Sequence, residues 1–391
     1  MSKVGILSMQ RIKNYGSFLQ AYGLKKIIEN MGHKVEFVDY HVEKSVISDK
    51  NKGKNDKLSK AIGALEGNAP MFQKIQYIIH KKNFGKKYYK ILGVSSEPNY
   101  LPKLDTLVIG SDEVFNCIQS NKNVGYSMEL FGKNSNAKRI ITYAASFGNT
   151  TIEKIEKYNK SSEISGLLNN MDSISVRDEN SGKIVKKLTE KEADYNLDPV
   201  LIYDFMNDDK LIPDINVNEK YMIVYAYANR ISDEEAKYIK KFAKNKKLKV
   251  YAIGGPQKCA DKFIDCSPFE VLSYFKNAEI IITDTFHGTI FSIINHKPFT
   301  TLVRKSNGNT YGNEEKLTDL LKRLKLENQI VYNVEKIEKI LQNEIDYSQT
   351  DKIINNERKK SHEYLKSNII WGWNNGINKK QNRLLWLCNV L

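Results

Sequence analysis

The chain has little that would cross-link it or anchor it. Its four cysteines, Cys117, Cys259, Cys266 and Cys388, are scattered over 391 residues with no CxxC pair, which excludes a disulfide framework and a cysteine zinc site. The six histidines include no HExxH spacing, so no metal is expected. A GxGxxG fingerprint is missing, and no dinucleotide claim follows. No apolar run reaches the roughly 20 residues of a membrane span. The opening residues enter a strand-like run at once, without the apolar core and cleavage site of a signal peptide. A cytoplasmic protein is the expectation. Helix-turn-helix, zinc-finger and RNP-type cues are also lacking, so nucleic acid is not an expected partner despite a net charge of +15. That charge leaves an anionic substrate or an anionic membrane surface.

Hydrophobic residues make up 41% and charged residues 27%, the balance of a globular protein, and the length suits two domains. The first unit reads strand, glycine turn, helix, strand. Lys3 to Met9 is followed by Asn14-Tyr15-Gly16-Ser17, a helical pattern from Phe18 to Met31 with one inner face, and a strand from Lys34 to Tyr40. This order implies a parallel sheet. Lys50 to Lys60 reads as a loop, and Gln73 to Leu92 as a basic helix with Lys81, Lys82, Lys86, Lys87 and Lys90. Strands at 106–109, 139–145 and 173–176 each end in a polar or glycine-containing loop, and such loops line a cleft when they share one sheet edge. A second α/β unit opens at Tyr221, with strands expected at 221–225, 249–253, 279–283 and 299–303. Helical signals return from Glu335 to about Ile370.

Ile280 to Phe291 is the most informative stretch: an apolar strand, a polar turn and a helix start around His287. A His at such a sheet edge, beside a helix N-terminus, can hold an anion or carry a proton. It can equally be a capping or packing residue.

Six blocks then resemble the polysaccharide pyruvyl transferase family, in the family's order. They are Asn14-Tyr15-Gly16 with Leu19 to Tyr22, Gly110 to Asn116, Tyr143 to Gly148, Ser175 to Asp178, Asp198-Pro199, and Thr283 to Gly288. The chain departs at Thr285, where many members carry Arg. The resemblance implies two Rossmann-like domains facing across a cleft, as in GT-B glycosyltransferases. It implies phosphoenolpyruvate as donor substrate with no further cofactor, a saccharide acceptor, and a pyruvate ketal as product on a surface glycan or its lipid-linked precursor. Expected boundaries are 1–197 for the first domain, 198–219 for a linker, 220–350 for the second domain, and 351–391 for a helical tail crossing back to the first. Location at the inner face of the membrane, with peripheral contact, is a further expectation.

Phosphoenolpyruvate carries a phosphate and a carboxylate, so its site needs fixed positive charge and N–H donors. His287 and Asp112 are the candidate catalytic pair: His287 as acid or phosphate partner, Asp112 as base or hydroxyl ligand. Asp112 reads alternatively as a cap or turn residue. Asn14, Tyr15, Gly16, Arg177, Gly288, Arg304 and Lys305 are candidates for the donor. Arg177 reads as a guanidinium fork for an anion or as a surface ion pair with Asp178 or Glu179. Arg304 and Lys305 read as a clamp on phosphate or as a solvated loop. Ser111, Ser146 and Phe147 are candidates for the acceptor. Two other functions fit the same features: a nucleotide-sugar glycosyltransferase, and a non-catalytic basic scaffold in a glycan-assembly complex.

Overall fold

In the computed structural model the described residues are 1–44, 46–47, 67–118, 124–208, 210–305 and 312–369. The loop expected at Lys50–Lys60 and the tail from residue 370 lie outside them.

Two six-stranded sheets, parallel throughout, form the molecule. The first holds β1 (Lys3–Leu7), β2 (Lys34–Phe37), β3 (Leu104–Asp112), β4 (Ala137–Ala145), β5 (Ser175–Val176) and β6 (Asp194–Tyr195), in the order β2-β1-β3-β4-β5-β6. The second holds β7 (Tyr221–Tyr225), β8 (Lys249–Ile253), β9 (Lys262–Phe263), β10 (Ile280–Thr283), β11 (Phe299–Leu302) and β12 (Ile330–Val331), in the order β12-β11-β10-β7-β8-β9. Every residue of β7, Tyr-Met-Ile-Val-Tyr, is buried, as a central parallel strand covered on both faces requires. The central strands fall where the apolar runs place them. The two-residue strands β6, β9 and β12 were not expected, because so short a segment carries no periodicity.

Each sheet has one point where the chain reverses its direction of travel across the strands: between β1 and β3, and between β7 and β10. Ligands of open α/β sheets bind at such switch points, beyond the carboxyl ends of the strands. Here the two points face each other. This is the expected pair of Rossmann-like units with a cleft between them.

Helix α1 (Tyr15–Asn30) follows β1 and joins the two halves. Phe18, Leu19, Ala21, Tyr22, Leu24, Ile27 and Ile28 are all buried, so it is apolar nearly all round rather than on one face. Such a helix needs partners on both sides. One side packs on the first sheet; on the other, Phe18 and Tyr22 meet Phe269 edge-on at centroid distances of 5.8 and 5.0 Å. The helices continue in chain order with α2 (Met71–Leu92), α3 (Ile152–Lys157), α4 (Ser161–Asn169), α5 (Glu179–Thr189) and α6 (Pro199–Ile202). The second half contributes α7 (Asp233–Asn245), α8 (Pro268–Asn277), α9 (Phe286–Ile294), α10 (Glu314–Arg323) and α11 (Ile337–Leu341). Ser232 with Glu235, and Ser267 with Glu270, close capping boxes on α7 and α8, a start signal written in four residues.

The last described helix, α12 (Ser348–Ile369), packs on the first sheet. The Tyr364 hydroxyl donates to the Thr142 carbonyl (2.8 Å), Asn196 Nδ2 donates to Ser361 Oγ (3.1 Å), and Leu365 and Ile369 are fully buried. No described helix is long and apolar enough to cross a membrane.

Candidate active site

His287 is the second residue of α9. Thr285 caps that helix by accepting from the Gly288 amide (2.9 Å), a cap contributing about 1 kcal/mol. This is the local reason for Thr285 at a position where an Arg was the alternative. Gly288 is a packing residue: a Cβ there would lie 2.2 Å from Thr283 Oγ1. With its N–H given to Thr285, it is not the anion donor the sequence suggested.

α1 meets α9 head to head. Asn14 caps α1 by accepting from the Ser17 amide (2.7 Å), so Ser17 likewise offers no spare N–H. The amides of Tyr15, Gly16, Phe286 and His287 remain without an acceptor in their own helices, as first-turn geometry dictates. Two positive helix ends thus converge on one spot. Gly16, a candidate for the donor, leaves room here for the His287 ring. A Cβ at Gly16 would lie 2.3 Å from both Cγ and Nδ1 of that imidazole. Tyr15 is buried, and its hydroxyl donates to the Cys266 carbonyl across the domain boundary (3.1 Å). Burial raises its pKa well above the ordinary phenol value. The Tyr15 side chain is thus a strut between the two halves, and only its backbone N–H faces the site.

Behind His287 stands Asp198, which the sequence placed in a family-like block at the start of a linker and gave no role at the site. It is fully buried and caps α6 by accepting from the Val200 amide (3.0 Å). Its Oδ2 lies 2.9 Å from Arg177 Nη1 and 3.5 Å from His287 Nε2. The latter contact is long, and His287 Nε2 makes no hydrogen bond. Burial pushes the Asp198 carboxyl up, but the positive charge of His287 and Arg177 outweighs it and holds the pKa at about 2. Arg177 is buried, with Cζ over the Phe286 ring (4.1 Å to its centre), and keeps Nε without a partner. Neither earlier reading of Arg177 survives intact. It is not a surface pair, and its fork is partly committed to Asp198.

Asp112 ends β3 in the left-handed backbone region (φ 77°), uncommon for any residue with a side chain. Its carboxylate accepts from Ser17 Oγ (2.7 Å) and the Glu113 amide (2.9 Å), and Arg177 Nη1 is 3.9 Å away. Glu113 bridges to Lys316 of the second half (2.8 Å). Burial raises the Glu113 pKa, but Lys316 and Arg177 overcome this and hold it at about 2. Asp112, Arg177, Asp198 and His287 therefore form one chain of charges across the boundary.

The other candidates lie elsewhere. Ser111, Ser146 and Phe147 are fully buried. Ser111 Oγ donates to the Ala144 carbonyl (3.0 Å), Ser146 Oγ donates to Asp178 (2.5 Å), and Phe147 packs on Phe115 (5.1 Å). None presents a surface to a saccharide. Arg304 gives its fork to Glu235 (2.9 and 3.0 Å), and Lys305 is exposed. Arg304 Nε lies 3.6 Å from Asp284, whose pKa burial raises. Asp284 therefore faces Arg304. Lys81 donates to the Lys13 carbonyl beside the α1 cap instead of standing free. Among the described residues no cluster suited to a metal occurs.

Solved structures similar over the whole length include the UDP-GlcNAc 2-epimerase from Methanocaldococcus jannaschii, with 11% identity and TM-score 0.47, covering 100% of both chains. Another is the UDP-N-acetylglucosamine 2-epimerase from Rickettsia bellii, with 12% identity and TM-score 0.46, covering 93% of this chain and 98% of that one. The UDP complex of S. aureus MnaA is 12% identical with TM-score 0.44, covering 97% of this chain and all of its own. No curated protein matches the sequence. The profile of one family spans residues 14–306, from the cap of α1 to just beyond β11, and the chain belongs to the polysaccharide pyruvyl transferase family.

Proposed function

We propose that the chain transfers the pyruvyl unit of phosphoenolpyruvate to two hydroxyls of a saccharide, forming a ketal and releasing phosphate. The observation that carries this reading is the placement of the His287 ring between two helix N-termini, with the ionised Asp198 behind it. The helix ends suit the phosphate and carboxylate of the donor. His287 is a group of the right kind for proton transfer, and Asp198 stands behind its ring.

The reaction needs a proton on the methylene carbon, attack by one hydroxyl on the adjoining carbon, loss of phosphate, and attack by the second hydroxyl. One hydroxyl proton replaces the proton given to carbon, and the other leaves with phosphate. His287 is assigned the proton transfer. Asp112, held by Ser17 and close to Arg177, is assigned the acceptor hydroxyl. Arg177 acts through Asp198 and Asp112 as a positioning residue, because its Nη1 already serves them. The acceptor is expected to be a surface glycan or its lipid-linked precursor.

The test is binding followed by turnover. Phosphoenolpyruvate should raise the melting temperature, and phosphate release should depend on an added glycan acceptor with a ketal methyl group in the product. Stabilisation by a sugar nucleotide and none by phosphoenolpyruvate would overturn this reading in favour of glycosyl transfer.

A further inference from the structure

We propose that the outer face of α2 is a docking surface for an anionic lipid bilayer. Helix α2 braces the molecule. Its inner side buries Gln73, His80, Phe84, Tyr88 and Leu92. Gln73 Nε2 donates to the Ala260 carbonyl (3.0 Å), and His80 Nδ1 contacts Asp265 (2.6 Å), both in the second half. Lys81 and the Tyr89 hydroxyl donate to the carbonyls of Lys13 and Arg11 in the loop before α1. The helix is therefore fixed in orientation, and its other side faces outward.

That outer side is patterned. Met71, Phe72, Ile75 and Ile79 are 57%, 69%, 48% and 50% exposed. At 3.6 residues per turn they share an arc about 100° wide with Lys82, Lys86 and Lys90. These three lysines are exposed and pair with no carboxylate of any described residue. No Asp or Glu occurs between Met71 and Leu92. The first half of the stripe is apolar and the second is basic. Four exposed apolar side chains on one face are more than scattered surface residues require. A helix lying in an interface plane wants this pair of features, apolar side chains for the acyl boundary and lysines for anionic headgroups. An acidic protein would answer only the lysines, whereas a bilayer answers both the lysines and the exposed apolar half beside them. The seated helix would bring the Arg11–Asn14 loop, which leads into α1, towards the membrane. The surface stands independently of the donor's identity.

The test is flotation of the full chain with vesicles. One set is phosphatidylcholine with about one-third phosphatidylglycerol, the other phosphatidylcholine alone. Binding is expected to the anionic set, falling as salt is raised. Phe72→Ser with Ile79→Ser, and separately Lys82→Glu with Lys86→Glu, should each weaken it by about tenfold or more. Both pairs are exposed, so circular dichroism and melting should match the parent. Absence of binding at low salt, or binding that neither double variant weakens, overturns the proposal. So does a dimer in sedimentation that the Phe72→Ser, Ile79→Ser variant converts to monomer, since the stripe would then cover a second copy.

Discussion

Replacing Gly16 by Ala should damage the site through a single methyl group, and the structure supplies its own control. In a helix interior Ala is favoured over Gly by up to about 1 kcal/mol. Gly166→Ala should show that gain, because a Cβ there meets nothing within 4 Å. At Gly16 the same methyl would stand 2.3 Å from Cγ and Nδ1 of His287 and 2.7 Å from its Cβ. Ordinary carbon contacts are about 3.5–4.0 Å, so the imidazole must retreat by roughly 1 Å. The near contact with Cβ means the start of α9 must move too. Overpacking of this kind costs about 1–3 kcal/mol, more than the helical gain. A catalytic group displaced by about 1 Å loses on the order of 10²-fold in rate. Phosphate release from phosphoenolpyruvate in the presence of a glycan acceptor, read beside thermal melting, separates the two effects. Gly16→Ala should lose about 10²-fold in turnover while melting only slightly lower, and Gly166→Ala should melt higher with unchanged turnover. If Gly16→Ala turns over within a factor of about 3 of the parent, under 1 kcal/mol of barrier, the close seating of His287 against α1 is not what the chemistry uses.

His287→Ala should lose 10²-fold or more in turnover with the fold retained, as expected for proton transfer; near-parental turnover would remove His287 from the chemistry. Asp198→Asn keeps the cap on Val200 but strands Arg177, and should cost about 3 kcal/mol near neutral pH. The pKa of Asp198 is depressed to about 2. Its stabilisation is thus present above the ordinary carboxylate value and lost as pH falls towards 2. Urea melts of parent and variant should converge over that window, and a constant gap would contradict the charge account. Asp319 is half-buried; desolvation first, and then the nearby Asp178 and Glu179, raise its pKa to about 6. Its ionisation opposes folding above that pH and does nothing below about 4. Asp319→Asn should accordingly stabilise by about 1 kcal/mol at pH 7.5, after allowance for solvent screening, and leave melting unchanged at pH 4. A gain of equal size at both values would point to packing instead.

Charge around the site is more mixed than a donor with two anionic groups would suggest. Asp112, Glu113 and Asp198 stand against Arg177, Lys316 and His287. The attraction for an anion therefore falls more on the converging helix ends than on a cluster of guanidinium groups. The sequence pointed to arginines because a fork is visible in a residue name, whereas a helix end becomes a ligand site only when another element is aimed at it.

Local order was written in the sequence. The run at 221–225 became β7, that at 249–253 became β8, and that at 279–283 became β10, because periodicity acts within a few residues. The location of His287 after a buried strand was equally legible. The helical signals from Glu335 to about Ile370 became α11 and α12, with a break at 342–347 that the signals did not locate. Choice of partner was not legible, since it joins residues far apart in the chain. Nothing around Asp198 marks it as the carboxylate that Arg177 and His287 share. Nothing near Gly16 shows that its missing side chain makes room for an imidazole in the other half. Ser146 and Phe147 sit in a motif-like block and look available, yet the sheet buries both. Short-range hydrogen bonding and apolar periodicity are properties of a segment. Which charge is neutralised by which, and which glycine faces which ring, follow only once two sheets have been brought edge to edge.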